Sequence, residues 1–80
     1  MDEATIRARI RTMVATGVLP CDEPTKTWAG KGGGTHCAAC AQPTLTTEFE
    51  FEVDVAGTTL RLHRFCHQLW LEECEPLKGR

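Results

Sequence analysis

Two short pairs of potential metal ligands constrain this chain more than any other feature of its sequence. Cys37-Ala-Ala-Cys40 and His63-Arg-Phe-Cys66 each place two such residues three positions apart, and residues 41–62 separate the pairs. A tetrahedral zinc site takes four nitrogen or sulfur ligands, and a pair at this spacing supplies two of them from one tight turn. The sequence therefore predicts one structural Zn²⁺, held where the two pairs meet.

The length of the chain gives a reason for such a cross-link. Its 80 residues predict a single domain, 1–80, and a domain of this size buries only about 60–65% of its unfolded surface. Metals, disulfides or oligomerisation often supply the missing stability. Hydrophobic residues make up 41% and charged residues 25%, which is typical of a globular protein. The net charge of −2 does not favour nucleic-acid binding, for which a basic domain is the usual footprint.

The sequence also predicts a cytoplasmic protein with no membrane partner. No apolar run approaches the roughly 20 residues that span a bilayer, and the opening MDEATIRARIR lacks the apolar centre of a signal peptide. Thiols in the cytosol stay mostly reduced, so the five cysteines are expected to be metal ligands or core residues and not disulfides. Cys74 is expected to be a core thiol and Cys21 a plain thiol in a loop.

Periodicity divides the chain into three parts. Apolar residues at helical spacing predict a helix over residues 3–16, with Asp2 as its N-cap. Residues 18–36 are expected to form a loop that contains glycine and proline, in which Trp28 packs the loop onto the core. Residues 37–75 form the predicted metal-binding module.

Within that module, the stretch TTEFEFEVDV alternates apolar and acidic residues, which is typical of a half-buried strand. A turn at Ala56-Gly57 then predicts a hairpin in which apolar residues meet apolar ones and acids meet bases. The predicted pairs are Val53–Leu60, Glu52–Arg61, Phe51–Leu62 and Glu50–His63. Helical spacing resumes afterwards and predicts a helix over about 64–75, ended by Pro76, with Leu71 exposed.

The order of knuckle, hairpin and helix resembles the treble-clef family of zinc fingers. The C-x2-C…H-x2-C pattern is similar to the first zinc site of LIM domains, over about residues 36–75. This resemblance implies ligand roles for Cys37, Cys40, His63 and Cys66. The chain lacks the second ligand set of LIM and RING proteins, so it resembles a single-zinc finger with an added N-terminal helix. It is also similar to small bacterial zinc-finger proteins of unknown function, a resemblance that implies no activity.

Several alternatives stay open at the site. His36 and His67 adjoin the proposed ligands, and each is a candidate substitute for His63. The cysteines could instead be buried core residues beside an exposed histidine. A redox dithiol is a further alternative, although such a site needs a βαβ context that the sequence does not predict. Glu50, opposite His63 in the predicted hairpin, is a candidate acceptor for the second ring N–H of that histidine.

Four protein ligands leave no coordination position for water. The predicted function is therefore that of a small non-enzymatic protein that acts through contacts with a protein partner. One alternative is a nucleic-acid-binding regulator, which needs basic residues to share one surface. The candidates for that surface are Arg7, Arg11, Lys31, Arg61 and Arg64. The other alternative is a thiol or metal-dependent enzyme, which needs an open coordination position or a reactive cysteine. The sequence names neither the partner nor the oligomeric state.

Overall fold

The computed structural model describes residues 2–78 of the chain. The elements are α1 Glu3–Thr16, β1 Lys26–Lys31, β2 Phe49–Val55, β3 Thr58–His63 and α2 Arg64–Lys78. The strands form one antiparallel sheet in the order β1-β2-β3. Helix α2 packs on β2 and β3, and α1 packs on α2. The predicted small α+β fold is confirmed. No helix in this part of the chain is long and apolar enough to cross a membrane.

Helix α1 has the bounds that the sequence predicts. The Asp2 carboxylate accepts a hydrogen bond from the Thr5 backbone N–H at 3.0 Å, which satisfies one free donor of the first turn. Gly17 follows the helix in the left-handed region, with φ 83°, and its N–H bonds back to the last turn. Ile6 and Ile10 are the buried residues of α1, so burial of this stripe determines which side of the helix packs on α2.

The hairpin of β2 and β3 forms in the predicted register. Val53 lies opposite Leu60 and Glu50 lies opposite His63. Ala56 and Gly57 both have positive φ, 50° and 79°, which is the geometry of a two-residue hairpin loop. The register places the alternate apolar residues of β2 under α2, where Val53 is 1% exposed. The strand that ends at His63 is thereby fixed against the helix that begins with the next residue.

A third strand, β1, lies inside the segment 18–36 that was predicted to be a loop. It pairs along the outer edge of β2, with Lys26 opposite Asp54. All six residues of β1 are exposed, so no apolar alternation marks it in the sequence. The prediction that Trp28 packs on the core is wrong. Trp28 lies opposite Glu52, on the face of the sheet that points away from α2, and is 47% exposed.

Helix α2 extends through Pro76, although the sequence predicts that this proline ends it. Proline removes one intrahelical hydrogen bond, but here the loss falls within the last turn. The preceding turns are held by Leu69 and Trp70, which are 2% and 4% exposed. The packed helix therefore tolerates the proline. Leu71 is 47% exposed, as predicted.

A disulfide joins Cys21 to Cys74, which contradicts the prediction that both are thiols. The two residues are 53 positions apart, and their Cα atoms lie 5.5 Å apart. Leu19, two residues before Cys21, is fully buried in the core, so the segment after α1 lies against the body of the domain. The sequence gives no sign of this approach, because it depends on one apolar residue in an otherwise irregular segment.

Candidate metal centre

The four predicted ligands meet in one cluster. The Sγ atoms of Cys37, Cys40 and Cys66 and a ring nitrogen of His63 all lie within 4.8 Å of one another. Around a metal with tetrahedral bonds of about 2.3 Å, neighbouring sulfur ligands lie about 3.8 Å apart. The distance of 3.4 Å between Cys40 Sγ and His63 Nδ1 is close to that geometry. The four groups therefore lie close enough to hold one metal ion.

Backbone hydrogen bonds shape the turn that carries the first pair. The Cys37 N–H donates to the Gln42 carbonyl at 2.8 Å, and the Ala41 N–H donates to the Cys37 carbonyl at 2.9 Å. Ala41 has a φ of 66°, which lets the chain reverse directly after Cys40. The Ala39 N–H points at Cys37 Sγ at 3.4 Å. An amide that donates to sulfur favours the thiolate, which is the form that binds a metal.

This turn is attached to the rest of the fold on two sides. The Ala38 N–H donates to the Arg61 carbonyl at 2.8 Å, which ties the turn to the free edge of β3. The Arg9 side chain donates to the Ala39 carbonyl at 2.9 Å and ties the turn to α1. Ala39 itself is fully buried. The first ligand pair is therefore positioned by a backbone contact with β3 and a side-chain contact with α1.

The second pair lies where β3 passes into α2. His63 is the last residue of the strand, and Cys66 lies in the first turn of the helix. The free N–H groups and the positive dipole at a helix N-terminus favour a thiolate there. His63 directs Nδ1 toward Cys40 Sγ, while its Nε2 lies 3.2 Å from the Pro43 carbonyl. The carbonyl accepts the Nε2 proton, so Nδ1 is left as the nitrogen available to a metal.

The predicted role of Glu50 is wrong. Its carboxylate lies 2.8 Å from the hydroxyl of the buried Thr44 and 3.9 Å from the Arg61 guanidinium, and the same hydroxyl lies 3.0 Å from the Thr35 carbonyl. The groups near His63 Nε2 are the Pro43 carbonyl and, at 3.5 Å, the Glu48 carboxylate. Sequence reasoning missed both groups. No sequence pattern marks a backbone carbonyl as a partner. Glu48 belongs to the same alternation as Glu50, but it lies just before β2, and the predicted hairpin register pointed to Glu50 as the residue opposite His63.

The two alternative histidines lie outside the cluster. His36 is exposed and forms an isolated bridge with Pro43. The His67 ring stacks on Phe51, with 4.5 Å between ring centroids, and meets the Trp70 ring edge-on at 6.2 Å. Burial lowers the pKa of His67, which favours a neutral imidazole in this aromatic contact. Both histidines therefore have positions in the fold that do not involve the four clustered groups.

The electrostatics of the cluster favour a bound cation. A hydrogen bond from Cys66 lowers the pKa of Cys37 to about 4. Burial, and then the charge of Cys37, raise the pKa of Cys40. The pKa of Cys66 is also raised, mainly by its hydrogen bond with Cys37 and next by burial. Burial alone would lower the pKa of His63, but Cys37 outweighs it and raises that pKa. Three thiolates this close oppose one another, and a divalent ion at their centre would remove that conflict.

A surface depression of about 300 Å³ borders the cluster. Its lining includes Ile6, Gln42, Glu48 and Phe65 together with three of the clustered residues, Cys40, His63 and Cys66. The sulfur atoms nevertheless belong to residues that are at most 4% exposed. Buried cysteines of this kind are typical of structural sites, because reactive thiols need access to solvent.

Most of the basic residues considered for nucleic-acid binding already have acidic partners. Arg7 contacts Glu72 and Glu73 of α2, and Arg11 lies 2.7 Å from Glu73. Arg61 pairs with Glu52 at 2.8 Å across the hairpin. These contacts place Arg7 and Arg11 against acids of α2 and Arg61 against an acid of β2, so three of the five candidate basic residues are paired within the chain.

Comparison of the chain with models of protein families, with curated protein sequences and with solved structures finds no match.

Proposed function

We propose that this chain is a small non-enzymatic protein whose fold is completed by one structural Zn²⁺ and which acts by binding a protein partner. The observation that carries the proposal is the buried cluster of three cysteines and one histidine, with all ligand atoms within 4.8 Å. Sulfur and imidazole ligands in a tetrahedral arrangement favour zinc over magnesium or calcium, which prefer oxygen. The ion would be held by Cys37, Cys40, His63 and Cys66.

The proposed class is a treble clef. A knuckle supplies the first ligand pair, a hairpin follows, and the second pair comes from the end of the hairpin and the first turn of a helix. Four protein ligands fill a tetrahedral shell and leave no position for water, so the ion would supply stability and no hydrolytic chemistry. The burial of the sulfurs also supports a structural role.

Metal analysis tests the first half of the proposal. Mass spectrometry under native and denaturing conditions should show one zinc ion per folded chain, lost on unfolding. Cobalt substitution should give the absorption bands of a tetrahedral site with thiolate ligands. His63→Asn should weaken zinc binding strongly, whereas His36→Asn, at an exposed histidine outside the cluster, should leave it unchanged. Equal effects of the two variants, or a folded wild-type protein that binds no zinc, would contradict the proposal.

A second control separates the clustered thiols from the other cysteines. The double variant Cys21→Ser/Cys74→Ser removes the disulfide and leaves the four clustered groups in place. It should retain one zinc ion per chain, while Cys66→Ser should lose it. Loss of zinc in the double variant, with the fold intact by circular dichroism, would place a ligand outside the cluster.

The second half of the proposal, a protein partner, is supported over nucleic acid by the pairing of the basic residues. Arg7, Arg11 and Arg61 all lie against carboxylates of the same chain. Binding to DNA and RNA, measured at two salt concentrations, should show no affinity that falls steeply with salt. A strong salt-dependent affinity would instead favour the nucleic-acid regulator.

A further inference from the structure

Gly30, the fifth of the six residues of β1, is not required by backbone conformation or by close packing within residues 2–78. Its φ is not positive, and a Cβ added there would meet no atom within 4 Å. Gly32 differs, because a Cβ there would lie 2.2 Å from the Leu45 carbonyl oxygen. A glycine within a strand lowers its stability, and it often marks a place where another chain approaches. Gly30 therefore points to a contact outside the chain.

The outer edge of β1 is free to pair. The sheet ends at β1, and all six of its residues are exposed. The Gly32 N–H donates to the Glu48 carbonyl at 2.9 Å. Backbone groups point to opposite sides at successive residues of a strand, so those of Lys26, Trp28 and Gly30 also point toward β2. The backbone N–H and C=O groups of Thr27, Ala29 and Lys31 consequently point outward.

The other edge of the sheet is occupied. The outward carbonyl of Arg61 in β3 already accepts the Ala38 N–H from the turn of the candidate metal centre. Within residues 2–78, β1 is therefore the strand whose edge offers an uninterrupted row of backbone groups. Exposed edges of this kind pair with other strands unless the protein protects them.

We propose that β1 pairs antiparallel with β1 of a second copy, about a twofold axis at Ala29, to form a continuous six-stranded sheet. Only a register that joins outward groups to outward groups satisfies the hydrogen bonds. Centring on Ala29 pairs Ala29 with its own copy and Thr27 with Lys31 of the second chain. The same register places Trp28 directly opposite Gly30, twice in the dimer.

The register explains both unusual residues of β1. Trp28 is 47% exposed, and the Lys26 ammonium lies 5.5 Å from its ring centroid. In the dimer the indole would cover the open space above Gly30 of the second chain, an arrangement in which an aromatic residue compensates for a glycine in a neighbouring strand. An alanine or larger residue at position 30 would occupy that space.

Like charges disfavour one alternative register. Moving the axis to Lys31 would place the two Lys31 side chains opposite each other, which is unfavourable. Centring on Ala29 instead places Lys26 opposite Gly32 and Lys31 opposite Thr27, so no like charges oppose each other directly. The helices do not obstruct the approach, because neither α1 nor α2 packs on β1 within the described residues.

The test uses the zinc-loaded, disulfide-bonded chain. Sedimentation equilibrium over a range of concentrations should show a monomer–dimer equilibrium. Gly30→Thr should raise the dissociation constant of the dimer about tenfold or more, because it overpacks two symmetric contacts. Threonine favours strands, and a Cβ at position 30 meets no atom of its own chain within 4 Å, so the fold and zinc content of this variant should be retained. Combining it with Trp28→Ala should recover part of the lost affinity, since the residue that clashes is removed.

Amide hydrogen exchange gives an independent readout. The Ala29 N–H points outward, and its protection should rise with protein concentration and disappear in Gly30→Thr. The Trp28 N–H faces β2, and its protection should not depend on concentration. The proposal is overturned if the chain stays monomeric at every concentration. It is equally overturned if Gly30→Thr dimerises as tightly as the wild type with Ala29 protection unchanged, which would place the interface on another surface.

Discussion

His63 connects the candidate metal centre to the sheet through its two ring nitrogens. Nδ1 faces Cys40 Sγ at 3.4 Å, and Nε2 contacts the Pro43 carbonyl at 3.2 Å. The Glu48 carboxylate lies 3.5 Å from Nε2 and is itself held by the Leu45 N–H at 2.8 Å. Partners of the second nitrogen orient a ligand histidine and raise its basicity. Glu48 is therefore expected to influence the affinity of this site for a metal through His63.

Glu48→Gln should weaken zinc binding about tenfold, the lower end of the range for groups that contact a ligand histidine. Glutamine keeps an acceptor for Leu45 but loses the negative charge beside His63. Competition with a chelator of known affinity measures the effect. Glu52→Gln is the matched control, because Glu52 pairs with Arg61 on the sheet and not with the histidine. Equal losses in the two variants would assign the effect to overall charge.

Gly32 allows the backbone of the segment before β2 to pack closely against the chain just after β1. A Cβ on Gly32 would lie 2.2 Å from the Leu45 carbonyl oxygen and 2.8 Å from that of Thr44. Backbone atoms cannot move aside as a flexible side chain can. Gly32→Ala should therefore lower the free energy of unfolding by about 2–3 kcal/mol, as strong overpacking does.

Gly33→Ala is the matched control, since a Cβ there meets nothing within 4 Å. This change should alter the free energy of unfolding by no more than about 0.5 kcal/mol. Urea denaturation of the two zinc-loaded variants at one concentration measures both values. Similar free energies of unfolding for the two variants would mean that the backbone at Leu45 can move to accommodate a Cβ at position 32 without loss of stability.

At the scale of elements, the sequence predicts those parts whose side chains alternate between buried and exposed. The register of the β2–β3 hairpin could be read because apolar and acidic residues alternate on both sides of Ala56-Gly57. Strand β1 could not be predicted from the sequence, because an edge strand whose residues are all exposed has no alternation of buried and exposed side chains. The four clustered residues were predictable from spacing, whereas the Pro43 carbonyl beside His63 depends on the path of the backbone.

The contact between α1 and α2 combines apolar burial with a group of ion pairs. Glu73 of α2 lies 2.7 Å from Arg11 and 2.8 Å from Arg7 of α1. These guanidinium groups, Arg11 first and then Arg7, lower the pKa of Glu73 below its ordinary value of 4.5. The unfolded chain therefore binds this proton more readily than the folded one, so the carboxylate stabilises the fold when it is ionised.

Glu73→Gln should be less stable than the wild type at pH 7, and the difference should persist down to about pH 4.5. Below that pH, as the folded carboxylate becomes protonated, the two proteins should converge. Concentrated salt should also narrow the difference, since the pair is partly exposed. Both proteins are denatured in parallel at each pH, so any loss of metal that they share does not contribute to the difference between their free energies of unfolding. A difference that stays constant through pH 3 would assign the effect to packing.

At the scale of the whole molecule, the disulfide encloses the candidate metal centre in the sequence. The disulfide joins Cys21 to Cys74, and the cluster that begins at Cys37 and ends at Cys66 lies within that span. Helix α2 thus carries Cys66 of the cluster in its first turn and Cys74 of the disulfide near its end, and α1 packs against this helix. A metal ion bound at the cluster would fix the first turn of α2, as the disulfide fixes its other end. In a domain of 80 residues, such links add to a small core.

Removal of the disulfide should therefore lower stability without releasing the metal. Closing a loop across a sequence separation of 53 residues restricts the unfolded chain by about 4 kcal/mol in the chain-entropy model. Cys21→Ser/Cys74→Ser should lose up to this amount in chemical denaturation while keeping one zinc ion per chain. A reducing agent should lower the stability of the wild type toward that of the double variant and leave the double variant unchanged. If the wild type proves as stable reduced as oxidised, the hydrophobic contacts around Leu19 and the metal would be sufficient to hold α1, α2 and the sheet together.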